Sequence, residues 1–197
     1  MEKIEGRENS FEEKEESHML YHGSSSEFLD ELSPKNERIR DRNEGPMVFA
    51  TPDKAFATMF LGPRPDDSWS AKGNCNGVYY ILISDEERYR EEDKGGIIYG
   101  FPNEGFIQTQ NKGMKAEWAS AKAVTPTATE KYSSALQAML ESGVQVYFVD
   151  ATTLGQFKKM QKNPEKTMRM LQGMSSENKK LGINSRSFQG EQRADGS

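Results

Sequence analysis

Few residues in this chain have the types and spacing to do chemistry. There are two histidines, one cysteine and carboxylates scattered along the whole length. The most informative stretch is Tyr21-His22-Gly23-Ser24, where an apolar run ends in an imidazole followed by a glycine. A neutral imidazole can hydrogen-bond a ligand hydroxyl near neutral pH. A glycine beside it lets backbone N–H and C=O groups approach a planar amide with no side chain in between. A carboxylate opposite such a clamp can stabilise positive charge developing on a sugar as its leaving group departs. Two glutamates stand beside aromatics in the sequence: Glu117, before Trp118, and Glu104, beside Gly105 and Phe106. The structural alternatives are plain. A strand-end histidine can simply be satisfied by backbone, and a glutamate on an edge strand is usually a surface residue. His18 lies in a charged lead and is expected to be exposed.

Other chemistries find no support. The single Cys75 excludes an intrachain disulfide and a zinc site built on several thiolates. It sits in Lys72-Gly73-Asn74-Cys75-Asn76-Gly77, which reads as a turn. No GxGxxG, GxxxxGK[ST] or HExxH pattern occurs, and no metal site is expected. Neither histidine has a setting that suits a serine hydrolase.

The elements that must position these residues read as follows. Met19 to His22 is a strand that runs into a serine-rich loop, and Met47 to Ala50 is a second strand. Thr51-Pro52-Asp53 predicts a helix start with Thr51 as the cap, followed by Ala55, Phe56, Met59 and Phe60 at helical spacing up to Gly62-Pro63. Val78 to Ile83 is rich in aromatic and β-branched residues and predicts a strand, followed by an acidic loop. Short strands are expected at Ile97 to Phe101 and Gly105 to Thr109. The stretch from Ala116 to Val124 is anchored by Trp118. Tyr132, Ala135, Leu136, Met139 and Leu140 trace a helical stripe closed by Gly143, and Val144 to Val149 is a last strand. Two helices then follow, around Leu154 and Phe157 and from Pro164 to Gly173.

This order of elements, with His22-Gly23-Ser24 ending the first strand and Val48-Phe49-Ala50 leading into a helix, resembles the ADP-ribosyltransferase family. The branch in question has His-Gly-Ser or His-Gly-Thr in that place, as in poly(ADP-ribose) polymerases and diphtheria toxin. The resemblance spans roughly residues 18–150 and rests on short motifs. It implies a split, mixed or antiparallel sheet with short flanking helices and the use of NAD as a substrate. His22 and Gly23 would clamp the dinucleotide, with Ser24 a neighbouring contact. Phe60 would stack on the nicotinamide ring, a part that Phe56 or Tyr79 could also play. Glu117 would be the catalytic carboxylate, with Glu104 next in line. The chain departs from the family at two tyrosine positions, where it has Val48 and then Met59 or Phe60. The implied function is transfer of ADP-ribose to a protein or nucleic-acid acceptor, in the setting of a toxin or injected effector.

Composition bounds the rest. Hydrophobic residues make up 34 % and charged residues 29 %, polar for a globular chain of this size. Charge is unevenly spread, about −4 over residues 1–20, +5 over 156–197 and −6 between them. An acidic body argues against a dedicated nucleic-acid binder. No apolar run approaches the roughly 20 residues that span a bilayer. The acidic start is the opposite of a signal peptide's basic region, so action is expected in a cytosol, the producer's own or one reached by a leaderless route. The expected organisation is one α+β domain over residues 18–150, after a disordered acidic lead at 1–17. A helical extension at 151–174 and a disordered tail at 175–197 complete it. Methionines between Met160 and Met174 suggest either a partner-binding stripe or packing on the body's own core. Two rival functions stand beside the transferase: a binding module that keeps the fold without the chemistry, and a relative that handles 2′-phosphorylated RNA. The latter would need converging arginines, and Arg38, Arg40 and Arg42 are the clustered set.

Overall fold

The computed structural model describes residues 18–25, 29–34, 45–63, 68–109 and 117–183. The acidic lead and Arg38, Arg40 and Arg42 lie outside these residues. The described chain is α+β, with nine strands in three small sheets and six short helices.

The first sheet has the order β1-β5-β8, all antiparallel: β1 (Met19–Ser24), β5 (Gly96–Pro102) and β8 (Ala128–Tyr132). Its register sets His22 against Tyr99 and Gly23 against Ile98. The second has β2 (Val48–Ala50), β7 (Trp118–Ser120) and β6 (Ile107–Gln108) in the order β2-β7-β6. The third joins β3 (Ser70–Cys75) antiparallel to β4 (Val78–Ile83), which pairs in parallel with β9 (Gln145–Phe148). A bridge between Tyr21 and Thr51 ties the first sheet to the second, with backbone bonds of 2.7 and 2.9 Å.

The period-two alternation of β1 explains its two faces. Leu20 and its neighbours Tyr99 and Phe101 pack with Val48 and Ala50 of the second sheet. Tyr21 packs on the other face, with Ile98 of β5, Ala57 of the helix α1 (Lys54–Thr58), Leu61 just beyond it, and Ala138 of the helix α3 (Ala135–Glu141). A separate core under the third sheet holds Met59, Ile81, Ile83, Met139, Val144 and Val146.

Several expectations need correction. Asp53, not Thr51, caps α1: its carboxylate accepts from the Ala55 N–H at 3.0 Å, while Thr51 Oγ1 accepts from the Asp53 N–H. The acidic segment after β4 is a helix, α2 (Glu86–Glu92). It buries Tyr89 and carries the i,i+4 ion pairs Arg88–Glu92 and Arg90–Glu86 along its exposed face. Cys75 ends a strand, and the turn is confined to Asn76 and Gly77, both at positive φ. The strand expected over Gly105 to Thr109 shortens to β6, because Gly105 takes a positive φ. Tyr132 belongs to β8 and not to the α3 stripe, since Ser134 caps that helix.

The helical extension consists of α4 (Ala151–Met160) and α5 (Pro164–Gly173), the latter capped by Asn163. Met168, Met170 and Met174 pack on a cluster formed by Tyr80, Leu82, Tyr147 and Phe157, so these methionines belong to the protein's own core. The tail expected to be disordered from Ser175 is instead built into the body as far as residue 183. A helix, α6 (Glu177–Lys180), places Asn178 with no exposed surface against the free edge of β9. There its Oδ1 accepts from the Val146 N–H and its Nδ2 donates to the Val144 carbonyl. No described helix is long and apolar enough to cross a membrane.

Candidate functional site

One cavity of about 790 Å³ opens between the first two sheets, α1 and β3. Its volume falls within the roughly 300–1,000 Å³ of small-molecule sites. The residues singled out from sequence converge there: His22, Gly23 and Ser24 from the end of β1, Phe60 just after α1, and Glu117 just before β7. Glu104 does not line it. That glutamate sits exposed in the turn after β5, so the two carboxylates have different surroundings.

His22 is half-buried, and its Nδ1 lies 2.7 Å from the Phe49 carbonyl oxygen of β2. A carbonyl only accepts, so Nδ1 carries the hydrogen. In the neutral ring Nε2 is then the acceptor nitrogen. The ring is held further by Tyr99, its cross-strand partner, with centroids 6.4 Å apart.

Gly23 has a structural reason that sequence alone did not reveal. A Cβ at this position would stand 2.0 Å from the Ala57 carbonyl oxygen. The absence of a side chain lets α1 press against β1, and this contact fixes where Phe56, Met59 and Phe60 meet the cavity.

Glu117 is 7 % exposed and lies immediately before β7. Thr109 frames it twice, its N–H donating to the Glu117 carbonyl at 2.9 Å and its hydroxyl to Glu117 Oε1 at 3.0 Å. Such a buried, oriented carboxylate acts on nearby charge more strongly than one in water.

The aromatic wall is Phe60 and Phe56. Phe60 is 42 % exposed, and its ring meets Phe56 edge-on at 5.2 Å. Phe56 in turn stacks on Tyr79 at 5.2 Å, so Tyr79 supports the wall from behind. The Lys72 ammonium lies over the Phe60 ring, 4.2 Å from its centroid. A ligand ring stacking on Phe60 shares it with this cation or displaces it. Tyr89 also lines the cavity, and burial first, then the negative charge of Asp93, raise its phenol pKa so that it stays neutral.

The two departures from the family pattern have clear places. Val48 is buried in the core between the first two sheets and does not line the cavity, whereas Met59 is buried and lines it. Sequence reasoning missed Lys72 of β3 and Lys158 and Gln161 at the end of α4, which also line the cavity. Nothing in their local sequence distinguishes them from solvated polar residues. Among the described residues, no group of three His, Cys, Asp or Glu side chains is placed to hold a metal ion. No family model, curated protein or solved structure matches the chain.

Proposed function

We propose that this protein is an NAD-dependent ADP-ribosyltransferase that modifies a macromolecular acceptor. The observation that carries the reading is the convergence of His22, Gly23, Ser24, Phe60 and Glu117, drawn from three separate segments of the chain, on one cavity. In this reading β1 presents backbone polar groups to the nicotinamide amide. The Nε2 of His22 accepts a hydrogen bond from a ribose hydroxyl, in the tautomer that Phe49 selects. Glu117 faces the sugar as its bond to nicotinamide breaks. Nicotinamide leaves with the bonding electron pair, and the sugar carbon takes on positive charge that the carboxylate stabilises. The acceptor's nucleophilic atom then bonds to that carbon and gives up its proton. Phe60 and Phe56 supply the flat apolar surface that an aromatic ring needs.

The test is to incubate the protein with NAD labelled on its adenylate portion and with cell lysates. Free nicotinamide and labelled bands are expected, both strongly reduced with the Glu117→Gln variant. Failure to release nicotinamide with any lysate, in a protein that still binds NAD, would identify the domain as a binding module without the chemistry.

A further inference from the structure

Tyr89, the buried residue of α2, is 1 % exposed. Its ring packs edge-on against Trp69 and Phe148, with centroids 6.4 and 6.3 Å away. A buried tyrosine hydroxyl ordinarily has a hydrogen-bond partner. This one has none among the described residues. Asp93 does not serve, because its carboxylate is already engaged by the Gly95, Ala135 and Leu136 N–H groups and the Ser134 hydroxyl. Yet among the described residues no side-chain polar atom that is sealed from solvent lacks a partner, so this hydroxyl is not sealed. Tyr89 lines the cavity, and its small remaining exposure is that of the hydroxyl at the cavity surface. Gly62 leaves it room, since a Cβ there would stand 2.5 Å from the hydroxyl oxygen. Met59 and Ile81, which share a core cluster with Tyr89, line the same part of the cavity.

We propose that Tyr89 is a ligand-binding residue, whose hydroxyl donates a hydrogen bond to an uncharged acceptor on an aromatic base that enters this part of the cavity. The acceptor is a carbonyl oxygen or a ring nitrogen. The choice of base, nicotinamide or adenine, rests on the NAD reading given above. Tyr89 itself stands outside the motifs that carry the family resemblance. Three features select this chemistry. Burial and the negative charge of Asp93 keep the phenol protonated, so it retains a hydrogen to donate. The same charge, together with the loss of water, disfavours an anionic group beside the hydroxyl. Met59 and Ile81 offer an apolar bed, and a thioether is a favourable neighbour for a ring. Few polar groups set in an apolar wall are what orients a ligand in a small-molecule site. Phenylalanine would fill the same space in the core, so what the hydroxyl contributes lies in what it meets inside the cavity.

The test joins thermal melts to calorimetric titration of the full chain and its Tyr89→Phe variant. Tyr147→Phe is the control, at a buried tyrosine that does not line the cavity. The probes are NAD, nicotinamide and adenosine. Tyr89→Phe should melt at the wild-type temperature or above it, because no hydrogen bond of the scaffold is lost. It should bind NAD about 2- to 10-fold more weakly, as for loss of one hydrogen bond between neutral groups. Of the two smaller probes, the one that loses affinity by the same factor identifies the base that Tyr89 holds. Tyr147→Phe should leave every affinity unchanged. A lower melting temperature for Tyr89→Phe with unchanged affinities would show that the hydroxyl serves the fold, and would overturn the proposal. Wild-type binding of NAD that Tyr89→Phe leaves intact, at unchanged stability, would also overturn it and leave the NAD reading standing. Tyr89-dependent binding of nicotinamide or adenosine without binding of NAD would keep the contact and overturn the dinucleotide as its ligand. Absence of binding by all three probes would overturn both.

Discussion

The carbonyl oxygen of Ala57 stands where the side chain of residue 23 would begin, 2.0 Å from the position of a Cβ on Gly23. The oxygen is helix backbone and a Cβ is fixed in place by the strand's own backbone, so no rotamer change relieves the clash. Gly23→Ala must therefore push α1 away from β1, and with it the aromatic wall. Overpacking of this kind costs about 1–3 kcal/mol. A lower melting temperature is expected together with weakened ligand binding, and a variant as stable as the wild type would show that α1 moves freely on the sheet.

His22 links the first two sheets through the Phe49 carbonyl, so its removal should be felt twice. His22→Ala deletes one hydrogen bond of the scaffold and, in the proposed function, one to the ligand. Each is worth about 0.5–1.5 kcal/mol. Chemical denaturation measures the first loss and NAD titration the second. An unchanged NAD affinity with the expected loss of stability would leave His22 a purely structural residue.

Asp93 organises the start of α3 and sets a pH dependence. Its Oδ1 accepts from the N–H groups of Gly95 and Ala135, and its Oδ2 from the Leu136 N–H and the Ser134 hydroxyl. Burial by itself raises the pKa of this carboxyl, but the four hydrogen bonds to the charged form outweigh it and the net direction is downward. A depressed folded-state pKa stabilises the protein at pH values above the unfolded-state value, near 4, and the gain is lost as pH falls through the folded value. Asp93→Asn replaces one oxygen by an NH₂ group facing donors, so it should destabilise by about 1–3 kcal/mol at pH 7. The difference from wild type should shrink as the pH is lowered below about 4. Equal stability of the two proteins at pH 7 would remove Asp93 from this role.

The strands that carry the site were legible because their residues declare themselves. Met19 to His22 and Val78 to Ile83 are apolar or β-branched runs bounded by polar turns, and the structure has β1 and β4 there. Strand β3 gave no such signal, since Ser-Ala-Lys-Gly-Asn-Cys contains no β-branched residue. It forms because β4 templates it, and Gly73 fits beneath the Tyr80 hydroxyl where a Cβ would lie 2.5 Å away. Helix α2 was hidden in the same way, with Tyr89 its one buried residue and its support coming from ion pairs. At the site, His22 and Glu117 could be picked out by type and neighbours. Lys72 and Lys158 could not, because only the fold brings a strand and a distant helix to one cavity.

Asn178 shows how a polar tail can be structural. Its side-chain amide both donates to and accepts from β9, as a neighbouring strand would, and its backbone carbonyl accepts from the Ile183 N–H. Asn178→Ala leaves the Val146 N–H and the Val144 carbonyl buried without these partners. Unsatisfied buried groups cost about 1–3 kcal/mol each, so this one substitution should lower stability markedly. Truncation after Ser175 should do at least as much, and a truncated protein that melts with the wild type would show that α6 contributes nothing.

Glu117 carries the sharpest prediction. In the proposed reaction its charge matters most when the bond between ribose and nicotinamide is broken and the sugar is cationic. Glu117→Gln keeps the shape and one carbonyl oxygen, which can still accept from the Thr109 hydroxyl, so the fold around β6 and β7 should be preserved. The substitution removes the negative charge from a residue that is 7 % exposed, where water compensates little. NAD affinity should therefore change little while turnover falls by roughly two to four powers of ten, since the interaction lost is made in the transition state. Glu104→Gln is the control, because that side chain is exposed and lies off the cavity. Single-turnover release of nicotinamide separates the chemical step from product departure. A large effect at Glu104 and none at Glu117 would move the reaction away from this cavity. A fall in affinity that matches the fall in turnover would instead make Glu117 a binding residue, with the charge-stabilising role assigned elsewhere.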